Sequence, residues 1–169
     1  MNKKVIAAVI VLVVVVAVFA YLNSRDAEDR LLSQREARIF IAAAETRETV
    51  DFETILELEE HSFAATLRSS DGGVREHTYT GVRMKDLLEH YGLDVSGAEQ
   101  VLTRAADGYT VALTRDEVMD DDNVYIVYMI DAEPMASREE GGSGPYQVVI
   151  RKDEFGQRWN KYLMDIEIR

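Results

Sequence analysis

Cysteine is absent from the 169-residue chain. Disulfide bonds, thiolate metal ligands, a cysteine nucleophile and lipid attachment through cysteine are therefore all excluded. The rest of the composition is typical of a globular protein, since 47% of the residues are apolar and 30% are charged. A chain of this length has room for one folded domain and an appendage.

The appendage is an apolar segment near the N-terminus. Residues 5–22 contain no charged residue, glycine or proline, and Lys3 and Lys4 precede them. At about 1.5 Å per residue, a helix of this length just spans a hydrocarbon core of roughly 30 Å. We predict an uncleaved transmembrane signal anchor here, with a signal peptide cleaved after Ala20 as the alternative. The positive-inside rule places residues 1–4 in the cytoplasm.

The part of the chain that follows is strongly acidic. All 31 acidic residues but only 17 of the 19 basic residues come after the apolar segment, which leaves a net charge of −14. Such a charge repels nucleic acid, so nucleic-acid binding is excluded as a function. We predict a single-pass protein of the cell membrane, with residues 23–37 as a helical stalk or flexible tether and residues 38–169 as an extracytoplasmic domain.

From residue 38 onward, short apolar runs alternate with turn signals, which predicts an α+β fold. Hairpins are expected about Asp71-Gly72-Gly73 and Asp107-Gly108. Further strands are expected at ARIFIAA, NVYIVYMIDA, PYQVVIRK and YLMDIEIR. Most connections are too short for crossovers, so the sheet should be mixed or antiparallel.

Three short helices complete the predicted domain. FETILEL can begin at a cap supplied by Thr49 or Asp51, and MKDLLEHYG can end at Gly92 in the left-handed conformation. TRDEVM is a one-turn helix in which Thr114 and Glu117 have the spacing of a capping box.

Several motifs resemble one known family. Tyr79-Thr80-Gly81-Val82, followed by Met84, Asp86, Leu87 and Leu88, resembles the "tGv-x-l-x-dlL" signature of the sulfite-oxidase-type oxidoreductase molybdopterin-binding domain. Later segments come in that family's order: Asp107-Gly108-Tyr109, Val124 to Ile130, Asp131-Ala132-Glu133-Pro134, Gly144-Pro145 and Trp159 to Tyr162. The resemblance covers residues 38–169 and implies a mixed α+β domain around a curved sheet.

The resemblance also implies a cofactor site. Catalytic members of the family bind molybdenum through the dithiolene of a pterin and one cysteine thiolate, and that cysteine position falls on Ser69 here. A hydroxyl is a much poorer ligand than a thiol at neutral pH, so the sequence predicts neither a metal site nor a bound cofactor. The positions that would hold molybdopterin are Arg68, Ser69, His77, Gly144, Pro145, Gln147 and Lys161.

The glycine-rich loop GGSGPYQ, residues 141–147, is of a kind that can wrap an anion in backbone N–H groups. The family's "GGP-x-R" arginine is replaced here by Gln147, which brings no charge to a phosphate. Candidate replacements, or else solvated strand-end charges, are Arg151, Lys152, Arg158 and Lys161. Glu139 and Glu140 oppose anion binding. Enzymes with this cofactor are normally exported folded behind a twin-arginine signal, which the N-terminal MNKK lacks.

Other chemistries have weaker signals. The three histidines, His61, His77 and His90, fall in different elements without metal-site spacing, and Asp120-Asp121-Asp122-Asn123 lacks the spaced ligands of an EF-hand loop. Ser143 is not in a nucleophile elbow. Aromatic residues that could line a cleft, but are more typical of a core, are Tyr125, Tyr128, Tyr146, Trp159 and Tyr162.

Three functions follow from these observations. We favour a non-enzymatic binding or interaction domain without molybdenum, which engages a small ligand or a neighbouring membrane protein through the former cofactor cleft. The second is a molybdopterin-dependent oxidoreductase in which Ser69 would be the catalytic metal ligand. The third is a structural subunit of a membrane redox complex.

Overall fold

The computed structural model describes residues 3–68 and 73–169. It contains four α-helices: α1 (Lys3–Glu36), α2 (Phe52–Glu57), α3 (Met84–His90) and α4 (Arg115–Met119). A short 3-10 helix covers Gly156–Arg158. The strands are β1 (Ile39–Ala43), β2 (Thr46–Val50), β3 (His61–Arg68), β4 (Val74–Arg83), β5 (Gln100–Ala105), β6 (Thr110–Thr114), β7 (Val124–Ile130), β8 (Glu133–Pro134), β9 (Gln147–Ile150) and β10 (Leu163–Ile168).

The strands form two sheets. The first has the order β2-β1-β10-β5-β6, and the pairing of β1 with β10 is parallel while the others are antiparallel. The second has the order β3-β4-β7, after which β8 and β9 pair with successive parts of β7. The predicted α+β fold with mixed and antiparallel sheets is therefore confirmed.

The core follows from the burial pattern of the strands. In β1 the side chains of Ile39 and Ile41 are fully buried, as expected for a strand with one covered face. Residues 124–128 of β7 and all four residues of β9 are buried instead without alternation. Both faces of these two strands are covered, which explains why their sequences are almost continuously apolar.

The helix ends confirm three local predictions. The Asp51 carboxylate accepts a hydrogen bond of 2.9 Å from the backbone N–H of Thr54, so Asp51 and not Thr49 caps α2. Thr114 and Glu117 form the complete capping box of α4. Gly92 follows α3 with a φ of 64°.

Two features differ from the predicted elements. β2 has the polar sequence TRETV, in which only Val50 is buried, so its pairing with β1 through the backbone leaves little hydrophobic pattern to detect. The segment 23–37 is helical up to Glu36 as part of α1, which agrees with the helical one of the two predicted alternatives, but it is packed on the domain and not a free stalk, because Gln34 near its end is buried. The turn predicted about Asp71-Gly72-Gly73 lies largely outside the described residues.

Gly81 lies in β4 at a point where the backbone of β7 approaches closely. The register between β4 and β7 shifts between Thr80 and Gly81, which indicates a bulge. A Cβ atom at residue 81 would lie 2.2 Å from the backbone oxygen of Ile126 and 2.6 Å from the Cα atom of Val127. The backbones of the two strands approach so closely that only glycine fits.

We predict that Gly81→Ala destabilises the domain by about 2–3 kcal/mol, because the added methyl group must push two backbones apart. Thermal unfolding of the full chain in detergent, followed by circular dichroism, should show a fall in Tm of roughly 5–12 °C. Gly97→Ala is the matched control, since a Cβ atom there meets no atom within 4 Å. Equal Tm values for the two variants would contradict the crowding.

Candidate functional site at the glycine-rich loop

The backbone N–H groups of three glycines in the glycine-rich loop are bonded within the fold. Gly142 donates to the Ser137 carbonyl at 2.8 Å, and Gly144 donates to the Ala136 carbonyl at 2.9 Å. Gly141 donates in the same way to a carbonyl of this preceding segment, that of Arg138, at 3.0 Å. These three donors therefore hold the loop against residues 136–138 and do not point towards an open anion site.

Close packing explains two of the glycines in the loop. A Cβ atom on Gly142 would lie 2.1 Å from the Ala136 oxygen, and one on Gly144 would lie 2.6 Å from the Met135 Cβ atom. The Tyr162 hydroxyl fixes the loop from the other side through a hydrogen bond of 2.8 Å to the Gly142 carbonyl. The glycines are thus required for contact with neighbouring backbone, without reference to a ligand.

The end of α1 packs on the same loop through Gln34. Its side chain is only 1% exposed, and its amide donates to the backbone oxygens of Tyr128 and Pro145, the latter at 3.5 Å. The Tyr146 hydroxyl donates in return to the Gln34 carbonyl at 3.1 Å. Burial raises the pKa of the Tyr146 hydroxyl, so it remains a donor at physiological pH.

An ion pair one turn earlier adds to this contact. Arg30 lies 2.9 Å from a Glu140 carboxylate oxygen and 3.6 Å from one of Glu133. The backbone N–H of Ser137 bonds to Glu140, and this bond, followed by that from Arg30, lowers the Glu140 pKa. Helix α1 is therefore fastened to the loop by both polar and charged contacts.

Large side chains fill the interior next to the loop. Tyr146, Gln147 and Trp159 are each at most 3% exposed. Trp159 packs edge-on against Tyr79 at 5.6 Å and donates from its indole nitrogen to the Ile150 carbonyl at 3.1 Å. Burial raises the pKa of Tyr79 to about 12. Of the five aromatic residues that the sequence offered as cleft lining or core, Tyr125, Tyr128, Tyr146 and Trp159 are core residues, whereas Tyr162 is half-buried.

Nearby carboxylates neutralise three of the four cations that the sequence offered as replacements for the loop arginine. Each of three is ion-paired: Arg151 with Asp122, Lys152 with Asp120, and Arg158 with both Asp153 and Glu117. Burial acts to raise the Glu117 pKa, but the hydrogen bonds from Arg158 and Thr114 outweigh it and lower the value. These cations have their charge balanced within the fold and do not replace the missing loop arginine.

His77 forms a pair with Asp131 at the far end of the second sheet. Its Nδ1 atom lies 2.6 Å from one carboxylate oxygen of Asp131, and the Thr78 backbone N–H donates to the other at 2.9 Å. These two bonds, that with His77 first, lower the Asp131 pKa. Asp131 and Ala132 have φ values of 52° and 64° and form the turn between β7 and β8.

The predicted cofactor positions are distributed over several parts of the surface. Arg68, at the end of β3, lies 3.8 Å from Glu154 and lines a cleft of about 460 Å3. Exposed Lys161 lines a different cleft of about 220 Å3. Gly144 and Pro145 line a third, of about 680 Å3, between α1 and the loop. Ser69 lies outside the described residues.

Comparison with known proteins identifies the fold. A family model described as oxidoreductase molybdopterin binding domain matches residues 27–169. The chain belongs to this family. A solved structure titled "Crystal Structure of the Sulfane Dehydrogenase SoxCD from Paracoccus pantotrophus" matches with a TM-score of 0.67 and 18% sequence identity. The match covers 80% of this chain but only 38% of the SoxCD chain, so the chain spans well under half of that protein. A comparison with curated protein sequences found no match.

The described residues of this molybdopterin-binding-domain family member do not fit the family's cofactor. The chain offers no thiolate to molybdenum, and the loop N–H groups of Gly142 and Gly144 are bonded internally. Gln147 is 3% exposed on β9, opposite Val127 of β7. Within residues 3–68 and 73–169, no group of three or more His, Asp or Glu side chains is arranged to hold a metal ion.

Sequence reasoning missed two residues that the structure brings to the loop. Gln34 and Arg30 lie in the segment that the sequence assigned to a stalk, whereas the family match already begins at residue 27. The one available signal was Gln34 itself, a polar residue three positions after Leu31, which also packs against the core. Charged residues of both signs flank Gln34 in the sequence, so the local pattern does not clearly indicate a buried helix face.

We predict that Asp131→Asn lowers the Tm of the full chain at neutral pH and has little effect in strong acid. The Asp131 pKa is lower in the folded state than its ordinary value of 3.8, so the ionised carboxylate stabilises the fold above that value. The contribution is lost as pH falls below 3.8 through the folded-state pKa. Asparagine tolerates the left-handed backbone at this position, so the substitution removes the charge and one of the two acceptor oxygens without straining the turn.

Melting curves between neutral and strongly acidic pH test this expectation. The control is Asp116→Asn, because the Asp116 side chain is 83% exposed. A Tm difference between wild type and Asp131→Asn that is independent of pH would show that the carboxylate charge does not contribute.

Proposed function

We propose that this chain is a membrane-tethered, extracytoplasmic interaction domain of the molybdopterin-binding family, and that it works without molybdenum. The observation that carries the proposal is the internal bonding of the loop, in which Gly142 and Gly144 donate to the carbonyls of residues 136–137. A loop whose donors are used for folding cannot also hold phosphate without losing those bonds. The missing thiolate supports the same conclusion.

The first half of α1 supports tethering to a membrane. Lys4–Glu36 is long and apolar enough to cross a bilayer, judged by length and composition. Its apolar side chains are exposed, for example Val9 at 54% and Phe19 at 68%, and such a surface requires lipid to cover it. A signal sequence has the same character. We favour the anchor because α1 continues without a break into Arg30 and Gln34, which are fastened to the loop.

A molybdopterin-dependent oxidoreductase is the second candidate, because the chain belongs to a family of oxidoreductase domains. This function requires Ser69 to bind the metal, since no cysteine is present. The third candidate is a structural subunit of a membrane redox complex. The same fold is compatible with this role, which does not need the metal.

Molybdenum content separates the proposed function from the oxidoreductase. The full chain, extracted from membranes of a host that makes molybdopterin, should contain no stoichiometric molybdenum by mass spectrometry and release no oxidised pterin by fluorescence. A cysteine-bearing family member prepared in parallel is the positive control. Recovery of about one molybdenum atom per chain, lost in Ser69→Ala, would overturn the proposal.

We also expect Ser69→Cys to remain free of molybdenum, because the internally bonded loop and Gln147 are unchanged by that substitution. Molybdenum and pterin are both measured on one preparation of this variant. Stoichiometric loading of this variant would show that the missing sulfur alone keeps the metal out.

A further inference from the structure

A cleft lies between α1 and the segment that leads into the glycine-rich loop. Its volume is about 680 Å3. The buried or half-buried side chains of Met135, Pro145 and Tyr162 line its apolar interior, and exposed Asp26, Asp29 and Glu139 also line it. The cleft therefore combines an apolar interior with an acidic rim.

The two arginines that line the cleft only partly balance its carboxylates, since Asp26, Asp29, Glu139 and Glu140 line it as well and leave a net charge of −2. Arg30 is paired with Glu133 and Glu140, and the guanidinium of Arg138 lies over the Tyr162 ring at 5.5 Å. In the described part of the chain, no cation lies within ion-pair distance of Asp26, Asp29 or Glu139. Three carboxylates thus remain available to a cationic partner.

The position of the rim limits what can reach it. Asp26 and Asp29 come four and seven residues after Leu22, the last residue of the apolar segment. At about 1.5 Å per residue these distances are roughly 6 and 10 Å along the helix axis. The headgroup layer occupies about 5–7 Å on each side of the hydrocarbon core. With residues 5–22 in the bilayer, as proposed above, the cleft opens at the membrane surface.

We propose that this juxtamembrane cleft is the surface through which the domain recognises another membrane protein, and that the partner presents a segment with basic and apolar side chains next to the bilayer. This inference rests on the proposed function and adds the location and chemistry of the partner. Anionic lipid headgroups are repelled by the three carboxylates, whereas Lys or Arg side chains complement them. An apolar side chain of the same segment complements the apolar lining supplied by Met135 and Pro145.

The attachment of α1 gives the cleft a fixed shape. One wall belongs to the helix and the other to residues 135–145, and the Gln34 and Arg30 contacts join them. A preformed site of this kind avoids the entropy cost of ordering two separate elements when the partner binds.

Peptide binding provides the first test. The full chain in phosphatidylcholine nanodiscs is titrated with a fluorescein-labelled peptide of alternating Lys and Leu, and with the same peptide carrying Glu for Lys. The combined variant Asp26→Asn, Asp29→Asn, Glu139→Gln should weaken binding of the Lys peptide about five- to tenfold, since each exposed ion pair contributes modestly. Added salt should weaken binding by the wild type.

The matched control removes the same charge elsewhere, with Glu45→Gln, Glu57→Gln and Glu99→Gln. These residues are exposed and do not line the cleft. Equal losses in the two triple variants would overturn the inference, because the peptide would then recognise only the net negative charge. Binding of the Glu peptide as tightly as the Lys peptide would overturn it as well.

Site-specific photo-crosslinking in native membranes provides the second test. A benzophenone amino acid at Ser33, which lines the cleft, should crosslink to a membrane protein through a basic segment next to one of its spans. Glu28, which is exposed on α1 between Asp26 and Asp29 but does not line the cleft, is the control position and should not give this product.

Crosslinks from Ser33 to lipid alone, to a soluble protein, or to no molecule at all would each contradict the inference. The two proposals fail separately. Stoichiometric molybdenum would contradict the proposed function whatever the crosslinks show, whereas a metal-free protein that crosslinks only from another face would contradict the cleft alone.

Discussion

The need of every buried backbone N–H group for an acceptor determines the arrangement around the glycine-rich loop. Gly142 and Gly144 donate to the carbonyls of residues 136 and 137, and their lack of side chains allows the two backbone segments to approach. An unbonded buried donor costs about 1–3 kcal/mol, so these contacts are not easily given up for a ligand. The loop is therefore a packed structural element, and the side chains of Tyr146 and Trp159 complete the interior beside it.

The same loop joins the domain to its N-terminal helix. The Pro145 carbonyl accepts a hydrogen bond from Gln34, and Glu140 accepts one from Arg30. The segment that resembles an anion-binding loop therefore packs against α1. In the account proposed here, a bilayer holds the first half of this helix and the domain stands in a defined orientation above it. We propose that a partner binds at the surface close to this membrane, and that the acidic rim of Asp26, Asp29 and Glu139 selects a basic segment.

Strongly patterned segments could be predicted from the sequence, and weakly patterned ones could not. β7, the Asp51 and Thr114 helix caps and the family motifs carry their signals locally, and the structure agrees with them. β2 is polar and pairs through its backbone, so its composition does not indicate a strand. The role of Gln34 depends on Tyr128 and Pro145, which are distant in the chain, and no local pattern encodes such contacts. The internal acceptors of the loop lie only a few residues earlier, at residues 136–138, but backbone carbonyls in an irregular segment leave no side-chain pattern in the sequence.

Amide hydrogen exchange of the loop tests the central claim most directly. In the full chain in detergent micelles, NMR should show that the N–H groups of Gly142 and Gly144 exchange slowly, as expected for bonded donors, while the exposed Gly97 exchanges fast. Addition of inorganic phosphate should leave the two slow rates unchanged. Fast exchange at Gly142 and Gly144 that becomes slow on addition of phosphate would mean that the loop is an open anion site, and the account would be wrong.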